Sequence, residues 1–311
     1  MKQITNTILM VRPVRFRMNE QTAVNNYFQE DLELKNQTIN TRAQQEFDSF
    51  VQVLKDKGVR VLVVDDTFEQ DTPDSIFPNN WNSFHEDGTV ALYPMFAENR
   101  RKERREDILE MLESEGFKIT SVMDYTAAEA DGLFLEGTGS IVMDRENRIA
   151  YCSLSDRADE GLFIEFCEDF EFSPVIFTAY QSVDGKRVPI YHTNVVMCLG
   201  EKFAVICLNA IDDRKERKNV QQQLHRSGKE IVAISEEQLH QFAGNMLQVL
   251  GRDNRRLVVM SSSAYNSLNP DQIAVIEKHG EIVHSSLETI ETCGGGSARC
   301  MMAEIFLPKN S

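Results

Sequence analysis

The chain has 311 residues, 41% hydrophobic and 26% charged, which is enough apolar material for a large core. A net charge of −16 argues against nucleic acid or an anionic membrane as partner, because both require a basic face. No apolar run reaches bilayer-spanning length, and no Pro/Gly/Ser-rich linker divides the chain, so one domain over 1–311 is expected.

In chain order, residues 7–11 form a short apolar strand without the long core or cleavage site of a signal peptide, so a cytoplasmic protein is expected. The first helix is predicted over 41–57. Thr41 and Gln44 offer a capping box, Phe47, Phe50, Val51 and Leu54 share one face, and Gly58 stops the helix. An apolar strand at 59–64 follows. The same order of helix, glycine and strand returns at 104–115, at 235–250 and at 270–279, with a weaker copy at 159–170 that runs on to Val175, Ile176 and Phe177 without the glycine. Hairpins are interleaved: 81–84 with 89–95, 140–143 with 148–154, and 194–197 with 203–208. The unit is roughly 55 to 60 residues long, so the chain can hold about five copies. Strands alternating with helices and interleaved hairpins predict an α/β fold of small mixed sheets, arranged as blades about an axis. The N-terminal strand is expected to complete the last blade beside a strand that Cys300 begins. The basic clusters 100–105 and 214–218, interrupted by glutamates, read as solvated helix faces.

A short polar segment precedes each hairpin: Phe77-Pro78-Asn79-Asn80, Leu135-Glu136-Gly137-Thr138-Gly139 and Tyr191-His192-Thr193. The tail Cys293-Gly294-Gly295-Gly296-Ser297-Ala298-Arg299-Cys300 occupies the equivalent place in the last unit. Repetition of the unit would bring Asn80, Glu136, His192 and Cys300 together near the axis. A cysteine becomes a useful nucleophile when a base stands beside it. His192 can take the thiol proton and return it to a leaving nitrogen. Glu136 can hold the imidazole or bind an N–H of a planar C–N substrate. The glycines ending at Gly296 remove Cβ atoms where backbone must approach a ligand. The plainer alternatives are a loop hinge, an inert buried thiol, a structural histidine and a turn acid. The six cysteines show no C-x-x-C and no Cys/His ligand spacing, so free thiols, no metal and no cofactor are expected. Cys152, Cys198 and Cys207 lie in apolar runs and read as small hydrophobes.

The ordered set of these motifs resembles the guanidino-group-modifying (amidinotransferase/arginine deiminase) superfamily over essentially the whole chain. The resemblance implies a five-bladed α/β propeller, the pentein fold, with pseudo-fivefold repeats. It also implies that Cys300 is the nucleophile, His192 the general acid/base and Glu136 a substrate-holding acid. Ser155-Asp156-Arg157 is similar to the family's Ser-x-Arg segment, whose arginine binds the substrate carboxylate. Two departures stand out. The family's Phe-x-Arg-Asp is here Phe77-Pro78-Asn79-Asn80, and its His-x-Asp is His192-Thr193-Asn194. Asparagine in both places looks most like the citrulline-utilisation hydrolase (CtlX-type, citrulline ureidase) branch. A buried guanidinium needs carboxylates, whereas neutral Asn80 and Asn194 suit a neutral ureido group. The expected activity is therefore hydrolysis of citrulline to ornithine, CO2 and ammonia. Alternatives are an arginine or methylarginine deiminase-type hydrolase, an amidinotransferase, and a non-catalytic pentein-type binding protein. The implied partner is a small amino-acid substrate, with a homo-oligomer left open.

Overall fold

Five three-stranded sheets share one connectivity in the structure, a computed structural model that describes residues 1–309. Residues 310 and 311, included in the expected single domain, lie outside the described residues. In each sheet a short first strand runs antiparallel to the second, which runs parallel to the third. A parallel pair needs a crossover, and a helix supplies it each time. The first sheet is Asn82–Phe84, Thr89–Leu92 and Ser121–Asp124, with helix Glu106–Ser114 between the last two strands. The second is Ile141–Asp144, Ile149–Ser153 and Ser173–Phe177 with helix Glu160–Asp169. The third is Met197–Leu199, Phe203–Ile206 and Glu230–Ala233 with helix Arg214–Arg226. The fourth is Leu247–Leu250, Arg256–Ser261 and Glu281–Ser285 with helix Pro270–Glu277. The chain ends close the fifth. Ala303–Glu304 pairs with Thr7–Arg12, which pairs with Arg60–Asp65 after helix Asn36–Asp56.

Burial sorts the strands. The first strands of sheets one to three are buried at every residue, while Ser121–Asp124, a third strand, has three of four residues exposed. Met197–Leu199 lies against both Ile141–Asp144 and Leu247–Leu250, and Ala303–Glu304 lies against Asn82–Phe84. The short strands thus face one another in the interior, and the helices cover the outside with an apolar stripe each. Helix Asn36–Asp56 buries Ile39, Ala43, Phe47, Phe50, Val51 and Leu54 at helical spacing.

Several expectations change. The first helix starts at Asn36, five residues early, and the Thr41/Gln44 box does not form. Thr41 Oγ1 donates back to Gln37 O instead, and Gln44 Nε2 reaches Pro13 O. The predicted helix over 235–250 is really helix Glu236–His240 followed by a loop and the strand Leu247–Leu250. The Ser235/Gln238 box is present, but the apolar residues beyond it serve a sheet rather than a helix face. Cys300 does not begin a strand. It sits in the helical turn Ala298–Met301, because the ladder to Thr7–Arg12 starts only at Ala303. The hairpin Tyr180–Val183 with Lys186–Pro189 is additional, and its Asp184-Gly185 turn, both at positive φ, was a hairpin signal in the sequence.

Candidate active site

Each polar segment named above winds into one helical turn just before a first strand or its equivalent: Pro78–Asn80, Gly137–Ser140, Thr193–Val196 and Ala298–Met301. The turn aims the residue at its start or within it toward the interior. Asn80, Arg157, His192, Gly296 and Cys300 all line one small cavity, together with Asp74 and Arg100. Glu136 stands directly behind His192 and is fully buried. Gly139 explains part of the closeness, since a Cβ there would meet Asn80 Nδ2 at 2.4 Å and His192 Nδ1 at 2.8 Å. Gly295, at φ +60°, ends helix Glu288–Gly294 in the left-handed region and turns the chain toward Cys300.

His192 Nε2 and Glu136 Oε2 are 2.7 Å apart, so Nδ1 is the ring nitrogen left for other work. Glu136 Oε1 accepts from the Phe96 backbone N–H at 3.0 Å. Arg157 and Arg100 guanidinium nitrogens lie 3.7 and 3.8 Å from Glu136 Oε2. Burial pushes the Glu136 carboxyl up, but Arg157, His192 and Arg100 together outweigh it and hold the group at about 2. Burial likewise drives His192 down to about 4, despite the opposing pull of Glu136. The resting pair at neutral pH is therefore a carboxylate and a neutral imidazole. Burial raises the Cys300 thiol, partly offset by the Ser297 backbone, Asn245 and Arg299. Cys300 therefore rests as a thiol beside a neutral imidazole.

Two amides touch the sulfur. Asn245 Nδ2 donates to Cys300 Sγ at 3.2 Å and to Asn194 O at 2.9 Å, while the Arg299 N–H donates to Asn245 Oδ1 at 3.0 Å. Cys300 Sγ points at Asn194 Oδ1 at 3.7 Å, and Asn194 Nδ2 has no partner among the described residues. Asn80 Oδ1 accepts from Arg100 Nη1 at 2.9 Å. Arg100 also forks onto Glu103, with both contacts at 2.9 Å. It is 2% exposed, so it is no part of a solvated helix face. A charge run gave no sign that its first member turns inward.

Residues 19–29 cover the cavity. Arg157 Nε and Nη2 donate to Asn25 Oδ1 at 2.9 and 2.5 Å, and Nη2 also reaches Thr22 O at 2.9 Å. Asp74 Oδ2 accepts from Asn19 Nδ2 at 2.8 Å and Thr22 Oγ1 at 3.2 Å, while its Oδ1 is buried without a partner among the described residues. Asn26 Nδ2 donates to Gly294 O and Gly295 O at 3.3 and 3.4 Å. The Tyr191 hydroxyl also bonds Gly295 O. Under this cover the cavity has room of ≈ 10 Å³ for water centres, about one water. Asp74, Arg100, Asn245 and the covering segment carry no periodicity and escaped the sequence reading. Asn245 alone had a signal, since it precedes the fourth first strand as Asn80 precedes the first.

The family described as N,N dimethylarginine dimethylhydrolase, eukaryotic, matches residues 12–307. No curated protein sequence matches the chain. The apo structure of ArgZ, an arginine dihydrolase from the ornithine–ammonia cycle in cyanobacteria, is similar with a TM-score of 0.72 at 19% identity. That likeness covers 98% of this chain and 41% of the cyanobacterial one, so this chain spans about two fifths of that protein. The N-terminal domain of ArgZ bound to substrate, at TM-score 0.72 and 19% identity, is covered over 99% of its length by 97% of this chain. A dimethylarginine dimethylaminohydrolase variant in adduct with S-methyl-L-thiocitrulline reaches a TM-score of 0.64 at 14% identity, over 97% of this chain and 100% of that one. At these identities the structures establish a common α/β fold.

Proposed function

We propose, from the premise that this chain belongs to the N,N-dimethylarginine dimethylhydrolase family and is a C–N hydrolase, that it cleaves citrulline to ornithine, CO2 and ammonia. We take the five sheets as blades of a five-bladed propeller of the pentein type, with the Cys300 cavity at its axis. The observation that carries the substrate assignment is the neutrality of the amides around the sulfur. Asn194 and Asn245 flank Sγ, and Asn80 already gives its oxygen to Arg100. A guanidinium buried there would lack the paired carboxylates it needs, whereas a ureido group is neutral and its carbonyl oxygen wants a donor. The unpartnered Asn194 Nδ2 is such a donor.

The amino-acid end fits the other side of the cavity. Thr22 bridges Asp74 and Arg157, bonding the first through Oγ1 and the second through its carbonyl. Asp74 Oδ1 is free to take the α-ammonium. Arg157 takes the α-carboxylate by exchanging its bonds to Asn25 and Thr22. Residues 19–29 lift to admit the substrate, since one water's room cannot hold an amino acid.

In the reaction, neutral His192 accepts the Cys300 proton at Nδ1 as sulfur bonds to the ureido carbon. Glu136 steadies the imidazolium so formed. Collapse breaks the bond from carbon to the δ-nitrogen, and His192 returns the proton to the departing ornithine amine. Cys300 is left as a carbamoyl thioester. Water, deprotonated by His192, releases carbamate and the thiol, and carbamate decays to CO2 and ammonia. The test offers arginine and citrulline separately and identifies products by mass. Ornithine from citrulline supports the reading; citrulline formed from arginine at an equal or faster rate overturns it. Asn80→Asp with Asn194→Asp then shifts the preference toward the guanidinium.

A second reading has a specific support, the fold shared with arginine dihydrolases. In it arginine is the substrate, hydrolysed twice to ornithine. The arginine arm of the same assay distinguishes it, because ornithine would then appear from arginine as well.

A further inference from the structure

A second cavity shares no lining residue with the first, although Arg299, the neighbour of Cys300, lines it. Its walls come from the first strands Ile141–Asp144, Met197–Leu199 and Leu247–Leu250, with Gln3, Arg145, Arg299 and Glu304 as polar members. It has room of ≈ 30 Å³ for water centres, about two or three waters. The two arginines are not equivalent. Arg299 is satisfied, with Nη1 on Met302 O at 2.7 Å and Nη2 on Glu304 Oε2 at 2.8 Å. Arg145 is 3% exposed, yet among the described residues its guanidinium has no hydrogen bond and no carboxylate within 4.0 Å. Nη1 in particular is shut off from solvent and unpartnered.

A buried guanidinium without a counter-charge is costly enough that native structures pair it. Glu304 bonds Arg299 and also acts on Arg145 from beyond 4.0 Å, with a weaker pull from Glu86, so the two guanidiniums of this cavity share its one lining carboxylate. One face of Arg145 is covered by the Phe306 ring, whose centroid lies 4.1 Å from Cζ. That contact leaves the in-plane N–H edge as the place where a ligand can bind. We propose that Arg145 is the anchor of an internal anion site that takes one small planar inorganic oxyanion, of the nitrate or bicarbonate class, in bidentate contact. Two parallel N–H···O bonds match the guanidinium fork to such an ion. The cavity is too small for an amino acid or a nucleotide. The assignment stands on Arg145 and its surroundings and does not depend on the substrate of Cys300.

The experiment follows thermal unfolding of the full chain at pH 8 as sodium nitrate or bicarbonate replaces gluconate at constant ionic strength. Gluconate serves as the background because it does not fit the cavity. The expected result is a saturable rise in Tm, about 5 °C at a hundredfold excess over Kd, with both ions. Arg145→Met abolishes the rise, and Arg145→Lys, which keeps the charge but loses the fork, weakens it at least tenfold in midpoint concentration. An equal rise in Arg145→Met, or no saturable rise in the wild type, overturns the proposal. A measurement free of variants is anomalous diffraction from wild-type crystals soaked in bromide. A peak beside Arg145 Nη1 supports an anion site, and a featureless cavity overturns it.

Discussion

Cys300 and Cys152 are both buried thiols that burial holds protonated, yet their surroundings differ in kind. Cys152 lies on the second strand of sheet two among Leu135, Ile141, Phe163 and Phe166, where it fills space as any small apolar side chain would. Cys300 has two amides on its sulfur and shares a cavity with an imidazole that is already backed by a carboxylate. Burial alone therefore distinguishes nothing. The difference is a neutral base with somewhere to put its charge after it takes the proton.

The sharpest way to break this comparison is to remove each sulfur in turn. Cys300→Ala is expected to fold and to lose turnover by roughly 10⁴-fold or more. Retained turnover in that variant would end the mechanism. Glu136→Gln comes next, because it keeps the shape and removes the charge that steadies the imidazolium. A loss of roughly 10²–10⁴ in kcat is expected. The pH profile gives the sign. Burial holds His192 at about 4 while Glu136 pulls it upward, so the acid limb of kcat/KM in the wild type falls near 4. Without the Glu136 charge that upward pull disappears, and the limb moves to lower pH. A limb that moves upward would mean that Glu136 does not act on His192. Burial raises the Cys300 thiol above its ordinary value, so it should cause no limb of its own at neutral pH.

Arg157→Lys probes the opposite end of the cavity. A lysine keeps the charge but cannot form the paired bonds, so KM should rise roughly 10- to 100-fold with a smaller change in kcat. An unchanged KM would send the carboxylate elsewhere, with Arg100 the remaining cation of the cavity. The smallest effect belongs to Cys152→Ala. Removing one sulfur from the core should cost about 1 kcal/mol in denaturant unfolding and leave kcat and KM as they are. Loss of activity without loss of stability there would erase the distinction between the two thiols.

Much of the frame could be read from the chain because it is repeated. The order of helix and apolar strand, three times with a glycine between them, marked four of the five crossovers, and three polar segments before hairpins together with the glycine-rich tail marked four of the places that meet around the cavity. Leu247–Leu250 was misread because Leu239, Phe242 and Met246 happen to fall at helical spacing while the helix ends at His240. The local signal there was genuine, and a sheet partner overrode it. Arg100 was hidden in a charged run of which only Lys102 is exposed, and Glu103 turns inward with it. Residues 13–35 have no periodicity at all, and their role is legible only once Thr22, Asn25 and Asn26 are seen on Arg157, Asp74 and the Gly294-Gly295 carbonyls. Repeated elements announce themselves through pattern, whereas a segment that covers a cavity is recognised by what it touches.

The claim that Cys300 carries the reacting carbon is tested most directly by acid-quenching the enzyme during turnover of citrulline and sequencing the labelled peptide by mass spectrometry. The account predicts one carbamoyl group on Cys300, formed together with a burst of ornithine and absent from Cys300→Ala. Ornithine produced with no adduct on any cysteine, or with the adduct on another of the six, would contradict it.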